Sequence, residues 1–502
     1  MTKRILALVL VALMTLPFMA CGADDTKNPT VTTDPAATTA APDTTAPAVT
    51  TEPELKPDLP EIRFDGTELI IIHNPAVQQY YYEPWIYSEG YNGDLINDAV
   101  YKRNVAIEEK YGIKIVSIED TNPANTAGLA SQARSDEYDL AMCKMSHVGT
   151  LTPQGMLYDI SDLPYVNYEN PWWDSNFAED TTYKGQLFGM VSDISMMTLS
   201  GVRAILFNRD LAKDYDLEDP YELVANNQWT LDKMGEMIMG VSDDLDGDQA
   251  YTDMDRYGML TESSNVNHLI TAAGVKFTEN KDDGSIAVTF NNEKTISVIE
   301  KCRALLMDDT HCLDYEDLAK YPGMSVTGSK YSYGRILFAA DHFLFTQGGA
   351  MLFEELNTAN MESEYGIVPN PKLDAAQEEY YHSPDTGTSV VTIPSGNDPA
   401  DLERLGILLE DLAYHSSKTI YPTYYETIVK IRRAEVKEMG EMMDIIKGSV
   451  AYDFCNIFGI DIYTTIGQAF KTGKIASTFA SGEKTIAKRI ETLVAKLDAM
   501  GS

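Results

Sequence analysis

Basic side chains are scarce in this sequence: 39 Lys and Arg stand against 77 Asp and Glu, a net charge of −38. A surface that acidic repels nucleic acid and anionic lipid and helps keep an exposed protein in solution. Long apolar runs are missing too; Ile5–Leu16 is the longest near the start and is too short to span a bilayer comfortably. Cysteine is rare, and none of the five shows Cys-x-x-Cys spacing, which removes the common zinc and dithiol signatures. The cheap enzyme signatures are absent as well: no Gly-x-Ser-x-Gly elbow, no His-Glu-x-x-His helix, no phosphate-cradling glycine loop and no Gly-x-Gly-x-x-Gly. Seven histidines stand singly. A glycosidase needs only two carboxylates at the right separation, and among 77 acidic residues no pair singles itself out.

What is present begins with an export signal. Lys3-Arg4, the apolar run after it, and Phe18-Met19-Ala20-Cys21 have the layout of a bacterial lipoprotein leader. The expected leader is residues 1–20, with Cys21 lipidated and the protein held on the extracytoplasmic face of the cell membrane. Phe18 and Met19 depart from the usual residues before such a cysteine. Gly22–Pro60 contains ten threonines, seven prolines and no aromatic residue. Such a segment cannot bury a core, so residues 21–60 are expected to form an extended tether. Cys143 lies in the apolar run Leu140–Cys143 and reads as a buried thiol, while a Cys302–Cys312 disulfide is open to an exported protein.

Beyond the tether, apolar periodicity alternates between two types. Glu68–His73 reads as a strand, Ile96–Tyr111 as a helix stopped by Gly112, Ile113–Ile118 as a strand, Ala124–Arg134 as a helix and Tyr138–Cys143 as a strand. That order implies a largely parallel sheet covered on both faces. A second α/β unit follows, with strands at Tyr257–Leu260 and Ile286–Phe290 and helices at Val266–Ala273 and Glu293–Met307. Helical segments at Leu402–Ala413, Tyr424–Lys430 and Glu483–Leu497 close the chain.

The centre of this pattern is a stretch from Thr182 onward. Gly185-Gln-Leu-Phe-Gly189 reads as part of a strand, Ser192-Asp193 as a polar turn, and Ala204–Phe207 as a strand ending in Asn208-Arg209-Asp210, which can cap a short helix. Trp229-Thr230-Leu-Asp-Lys233 then starts another helix, with Thr230 as N-cap. This order resembles the extracellular solute-binding lipoproteins of ABC importers, the group that includes oligosaccharide-binding proteins. Asn92–Asn104, Phe345–Phe353, Tyr365–Lys372 and Gly387–Pro394 extend the resemblance, which spans about Thr67 to Phe479.

The resemblance implies an α/β fold of two Rossmann-like lobes joined by a multi-crossing hinge, periplasmic-binding-protein-like and of type II. Lobe 1 is expected at 61–200 and 345–394, lobe 2 at 201–344 and 395–502, with crossings near Asp193, Phe345 and Thr388. It also implies a non-enzymatic monomer that captures a small solute, an oligosaccharide foremost, and passes it to a membrane permease. A tethered carbohydrate-active enzyme, or an adhesin or sensor on the same fold, stands as the alternative.

Candidate ligand residues follow from position. Asn74 lies just past the first strand, where open α/β sheets bind ligands, and Asp193, Ser195 and Arg203 lie beside the first crossing. Trp172 and Trp173, in an aromatic loop, and Trp85 either stack on sugar rings or seal the core. The sharpest chemical motif is Asp244-Leu-Asp246-Gly-Asp248, with Asp253 and Asp255 behind it. Carboxylates at positions 1, 3 and 5 of a tight loop suit Ca²⁺, here as a structural ion, although the glycine falls at position 4 and Gln249 occupies position 6. A solvated acidic turn is the other reading.

Overall fold

The computed structural model describes residues 55–75, 83–281, 284–385, 387–431 and 436–500. Cys21 and the leader lie outside them. Contacts gather Lys56–Ser502 into one unit, and Leu59 already packs on its core, so the tether expected to reach residue 60 stops short of it.

Among the described residues twelve strands are formed: β1 (Glu68–His73), β2 (Lys114–Glu119), β3 (Leu140–Lys144), β4 (Ala204–Asn208), β5 (Ser242–Asp243), β6 (Arg256–Thr261), β7 (Thr278–Asn280), β8 (Ile286–Val288), β9 (Cys312–Asp314), β10 (Phe343–Gly348), β11 (Tyr365–Val368) and β12 (Ser389–Thr392). They build two main sheets, ordered β12-β3-β1-β2 and β11-β4-β10-β6-β5, with β9 also on β6 and β7-β8 as a separate pair. In the first sheet β1 runs parallel to β2 and β3, and β12 is antiparallel to β3. In the second, β10 is parallel to β6, and β4 is antiparallel to β10 and β11. The first sheet therefore holds one reversed strand, β12, and the second holds two, β4 and the short edge strand β5.

Local signals act as the sequence indicates. Asp94 accepts from Asn97 N at 2.8 Å to start the helix Leu95–Tyr111, and Gly112 ends it at φ 70°. Asn208 Oδ1 accepts from Leu211 N at 2.9 Å, and Thr230 Oγ1 from Lys233 N at 3.2 Å, so both expected caps form. The expected strand at Gln186–Val191 does not form; Met190 makes a single bridge to Val391. Gly189 lies against β12 so closely that a Cβ there would meet Val390 Cγ1 at 2.6 Å.

Two expectations about the lobes need correction. Phe345 is no crossing: it sits inside β10, opposite Phe207 and Met259 of the second sheet, and β11 joins that sheet too. The chain returns to the first sheet only at β12. A fully buried strand such as β10 carries no polar face to say which sheet it enters. Nor does the C-terminal part belong to the second lobe as a block. Leu402–Ile431 is one helix packed on Leu95–Tyr111, beside the first sheet, and Lys110 Nζ meets Asp411 Oδ2 at 2.7 Å there. Val436–Gly448 packs on β11, and Ile475–Met500 on Tyr463–Thr472 and β8.

Cys143, Cys302, Cys312 and Cys455 are all free and buried. Cys312 Sγ donates to Leu305 O at 3.5 Å, so the Cys302–Cys312 bridge is not made.

Candidate functional site

The carboxyl edge of the first sheet is tied together by a buried acid. Glu83, 1% exposed, accepts from Ser195 Oγ at 2.8 Å and from Ser389 Oγ, linking the loop after β1 to both crossings. Burial pushes its carboxyl up to about 8, against the pull of the Ser195 hydroxyl. Arg103, equally buried, fans out to Ile86 O (2.8 Å), Asn104 Oδ1 (2.9 Å), Ser416 Oγ (3.2 Å) and Ile194 O (3.5 Å). The first crossing is thus held from the helices as well as from the sheet. Asn74 is buried at the end of β1, where its backbone carbonyl meets His73 Nδ1 at 2.7 Å.

Against this edge lies a cavity of 330 Å³. One wall is Pro171–Asn176, another Val191–Leu199, and the third Asp444–Val450 from the end of the helix that packs on β11. Asp193 Oδ1 accepts from Lys447 Nζ at 3.1 Å, and Asp174 Oδ2 from Tyr452 Oη at 2.6 Å. Burial raises both carboxyls above the usual range, Lys447 and Tyr452 respectively opposing it. The polar groups facing the space are hydroxyls, an amide, carboxylates and one ammonium, the set that reads sugar hydroxyls.

The expected stacking surfaces are mostly walls. Trp85, Trp172 and Trp173 are 4%, 2% and 5% exposed. Trp85 packs edge-on to Tyr424, and Trp172 to Tyr414. Both loop indoles donate to Glu410, Trp173 Nε1 at 2.7 Å and Trp172 Nε1 at 3.1 Å, with Asn170 Nδ2 at 2.7 Å. Of these three rings only Trp173 borders the cavity. The aromatic loop therefore buries its indoles because a carboxylate from a distant helix satisfies their N–H groups.

Arg203 belongs elsewhere. It borders a second cavity, of 450 Å³, at the carboxyl edge of the second sheet, beside Glu262 after β6 and Gly349 after β10. Its Nη2 pairs with Asp385 Oδ2 at 2.7 Å. The structure thus brings Trp173, Asp193 and Ser195 together and places Asn74, Trp85, Trp172 and Arg203 outside that first cavity. Sequence reasoning missed Glu83, Lys447 and Asp385. None of the three stands in a recognisable motif.

In the acidic loop, ligand atoms of Asp244, Asp246 and Asp255 lie within 4.8 Å of one another. Gly247 and Gln249 both take left-handed φ, 77° and 67°, so the turn closes without glycine at position 6. Asp248 turns to Ala250 N at 2.7 Å and Asp253 to Tyr333 Oη, so those two do not join the cluster.

A model of bacterial extracellular solute-binding proteins matches residues 103–402. No curated protein matches the sequence. Among solved structures, the chain is similar to the maltose/maltodextrin-binding domain from Bdellovibrio bacteriovorus bound to maltotriose, at 13% identity and TM-score 0.51, covering 84% of this chain and 99% of that one. It is similar to an ABC substrate-binding protein from Listeria monocytogenes in complex with cycloalternan, at 11% identity and TM-score 0.53, covering 85% and 100%. A Thermotoga lettingae solute-binding protein bound with α-D-tagatose gives 15% identity and TM-score 0.50, covering 85% and 100%. These likenesses carry the fold, an α/β architecture of the periplasmic solute-binding type. With three-fifths of its length matched by one family model, the chain belongs to the bacterial extracellular solute-binding proteins.

Proposed function

We propose that the protein captures an oligosaccharide in the cavity between Trp173, Asp193 and Lys447 and hands it to an ABC permease in the membrane, without chemical conversion. The observation that carries this reading is the wall composition. Asp193 and Ser195 come from the first crossing and Lys447 from the helix that packs on β11, so a solute touching all three would join both sheets. Rotation about the crossings would open and close the space. The carbohydrates named for the similar structures support a sugar as ligand. Asp174 and Asp193 are each engaged by a neighbour, which suits binding better than a pair of catalytic acids.

A thermal-shift panel of neutral oligosaccharides, peptides and small metabolites tests this, because a ligand bound only by the folded state raises the melting temperature. An oligosaccharide should raise it, and Asp193→Asn should abolish the rise. If only a peptide does so, the sugar assignment is wrong.

Two further elements of the proposal come from the sequence. Cys21 would carry the lipid that anchors the protein, as a monomer, outside the membrane. Of the five carboxylates expected to bind a structural Ca²⁺, Asp244, Asp246 and Asp255, whose ligand atoms lie within 4.8 Å of one another, would hold it, the ion offsetting their mutual repulsion.

A further inference from the structure

The second cavity is not needed to explain capture at Asp193, yet its walls are built for a ligand. It opens at the carboxyl edge of the second sheet, with Arg203, Glu262, Asp385 and Arg335 as its charged members. Each charge is already matched. Arg203 holds Asp385 at 2.7 Å, Arg335 holds Glu355, and Glu262 faces Lys330 Nζ at 3.8 Å while accepting from Tyr331 Oη at 3.0 Å and Ser264 Oγ at 2.5 Å. His268 adds no charge: burial, helped by Arg203, pushes it down to about 3, and its Nδ1 meets Ser383 Oγ at 2.6 Å. Two guanidiniums and two carboxylates thus leave the lining neutral, on a chain whose net charge is −38.

That balance selects by charge. A carboxylate entering here would face Asp385 and Glu262 and find the guanidiniums engaged. An ammonium would face Arg203 and Arg335. Either would have to break a half-buried pair and leave one partner unmatched, which is costly. Neighbouring hydroxyls meet no such barrier, because each can donate and accept at once. One would take an N–H from Arg203 while the other donates to Asp385, with the ion pair intact.

The remaining wall agrees. Asn267 is 3% exposed, borders the cavity, and its Oδ1 has no hydrogen-bond partner, so it lacks the donor that a hydroxyl would bring. Half-buried Tyr331 and Tyr463, with Met351 and Leu352, supply the apolar surface that a sugar ring presents its C–H face to.

We infer that this cavity is a second recognition site for the solute, specific for a neutral sugar unit with adjacent hydroxyls, read by the Arg203–Asp385 pair and Asn267. The inference rests on the sugar-binding reading above and adds the charge class of the sugar and the residues that select it.

Titration calorimetry on the full chain tests it, using neutral trisaccharides (maltotriose, cellotriose, xylotriose, mannotriose) against tri-galacturonic acid and the chitosan trimer. At least one neutral trisaccharide should bind, and both charged trimers should bind at least tenfold more weakly. Asn267→Leu and Asp385→Asn should each weaken the neutral ligand at least tenfold, with the ligand-free melting temperature within a few degrees of the parent for at least one of them. Equal or tighter binding of a charged trimer overturns the inference. So does parental affinity in both variants while Asp193→Asn loses it, an outcome that leaves the capture site standing. If no trisaccharide binds and a peptide does, the sugar reading itself falls, and this inference with it.

Discussion

Lys447 Nζ lies 3.1 Å from Asp193 Oδ1 and 3.7 Å from the centroid of the Tyr421 ring. One ammonium thereby joins three segments: the first crossing, the long helix beside the first sheet, and the helix packed on β11. Removing it leaves the carboxylate of Asp193, largely buried, without its cation. Lys447→Met should cost about 1–3 kcal/mol of stability, and Asp193→Asn in the same background should recover most of it. A double-mutant cycle by urea denaturation checks this, and simple additivity of the two changes would refute the coupling.

Glu83 sets a pH dependence. Its carboxyl titrates near 8 in the folded chain against an ordinary 4.5, so the folded state holds a proton that the unfolded state has released between those values. Unfolding then releases that proton, and stability must fall as pH rises. The contribution is intact below 4.5 and gone above about 8. Calorimetry should show a melting temperature that declines from pH 5 to 8, with a steeper slope in the parent than in Glu83→Gln. Parallel slopes would mean that Glu83 titrates normally.

Glu410 satisfies two indoles and an amide at once. Glu410→Ala should therefore strand buried N–H groups and destabilise the fold by about 2–5 kcal/mol. Near-ultraviolet circular dichroism should lose tryptophan fine structure at the same time. An unchanged spectrum would place the indoles elsewhere.

For the acidic loop, Ca²⁺ should raise the melting temperature of chelator-treated protein by several degrees. Asp244→Asn and Asp246→Asn should remove that response. Asp248→Asn should keep it, because Asp248 faces Ala250 N instead of the cluster. Loss of the response in Asp248→Asn would restore the five-carboxylate reading.

If Cys21 bears the lipid, Cys21→Ala should move the protein from the membrane fraction to the medium. Retention in the membrane would refute the anchor.

Much of the architecture was legible because it is local. Caps at Asn208 and Thr230, the stop at Gly112 and the alternating periods of the first 150 residues depend on neighbours within a turn or two. Of the residues the sequence offers for the site, Trp173, Asp193 and Ser195 line the first cavity, on two walls joined by the bridge between Trp173 and Ser192. What failed was pairing at a distance. Nothing around Trp172 says that Glu410 will meet it, and nothing in the apolar run Phe343–Phe345 says which sheet it enters. Arg203 lies close to the crossing in sequence, but it immediately precedes β4 and so stands at the edge of the other sheet, beside the second cavity.

The late return of β12 bears on when this protein can fold. Val390 pairs with Cys143, so β3 stays an open edge until the chain has been made almost to residue 392. The helix that packs on Leu95–Tyr111, Leu402–Ile431, comes later still. The N-terminal half therefore emerges without its closing strand, and is not a finished lobe until that strand arrives. A chain cut before Ser389 would expose β3 to edge-to-edge pairing with its own copies, and aggregation outside the membrane is its expected fate.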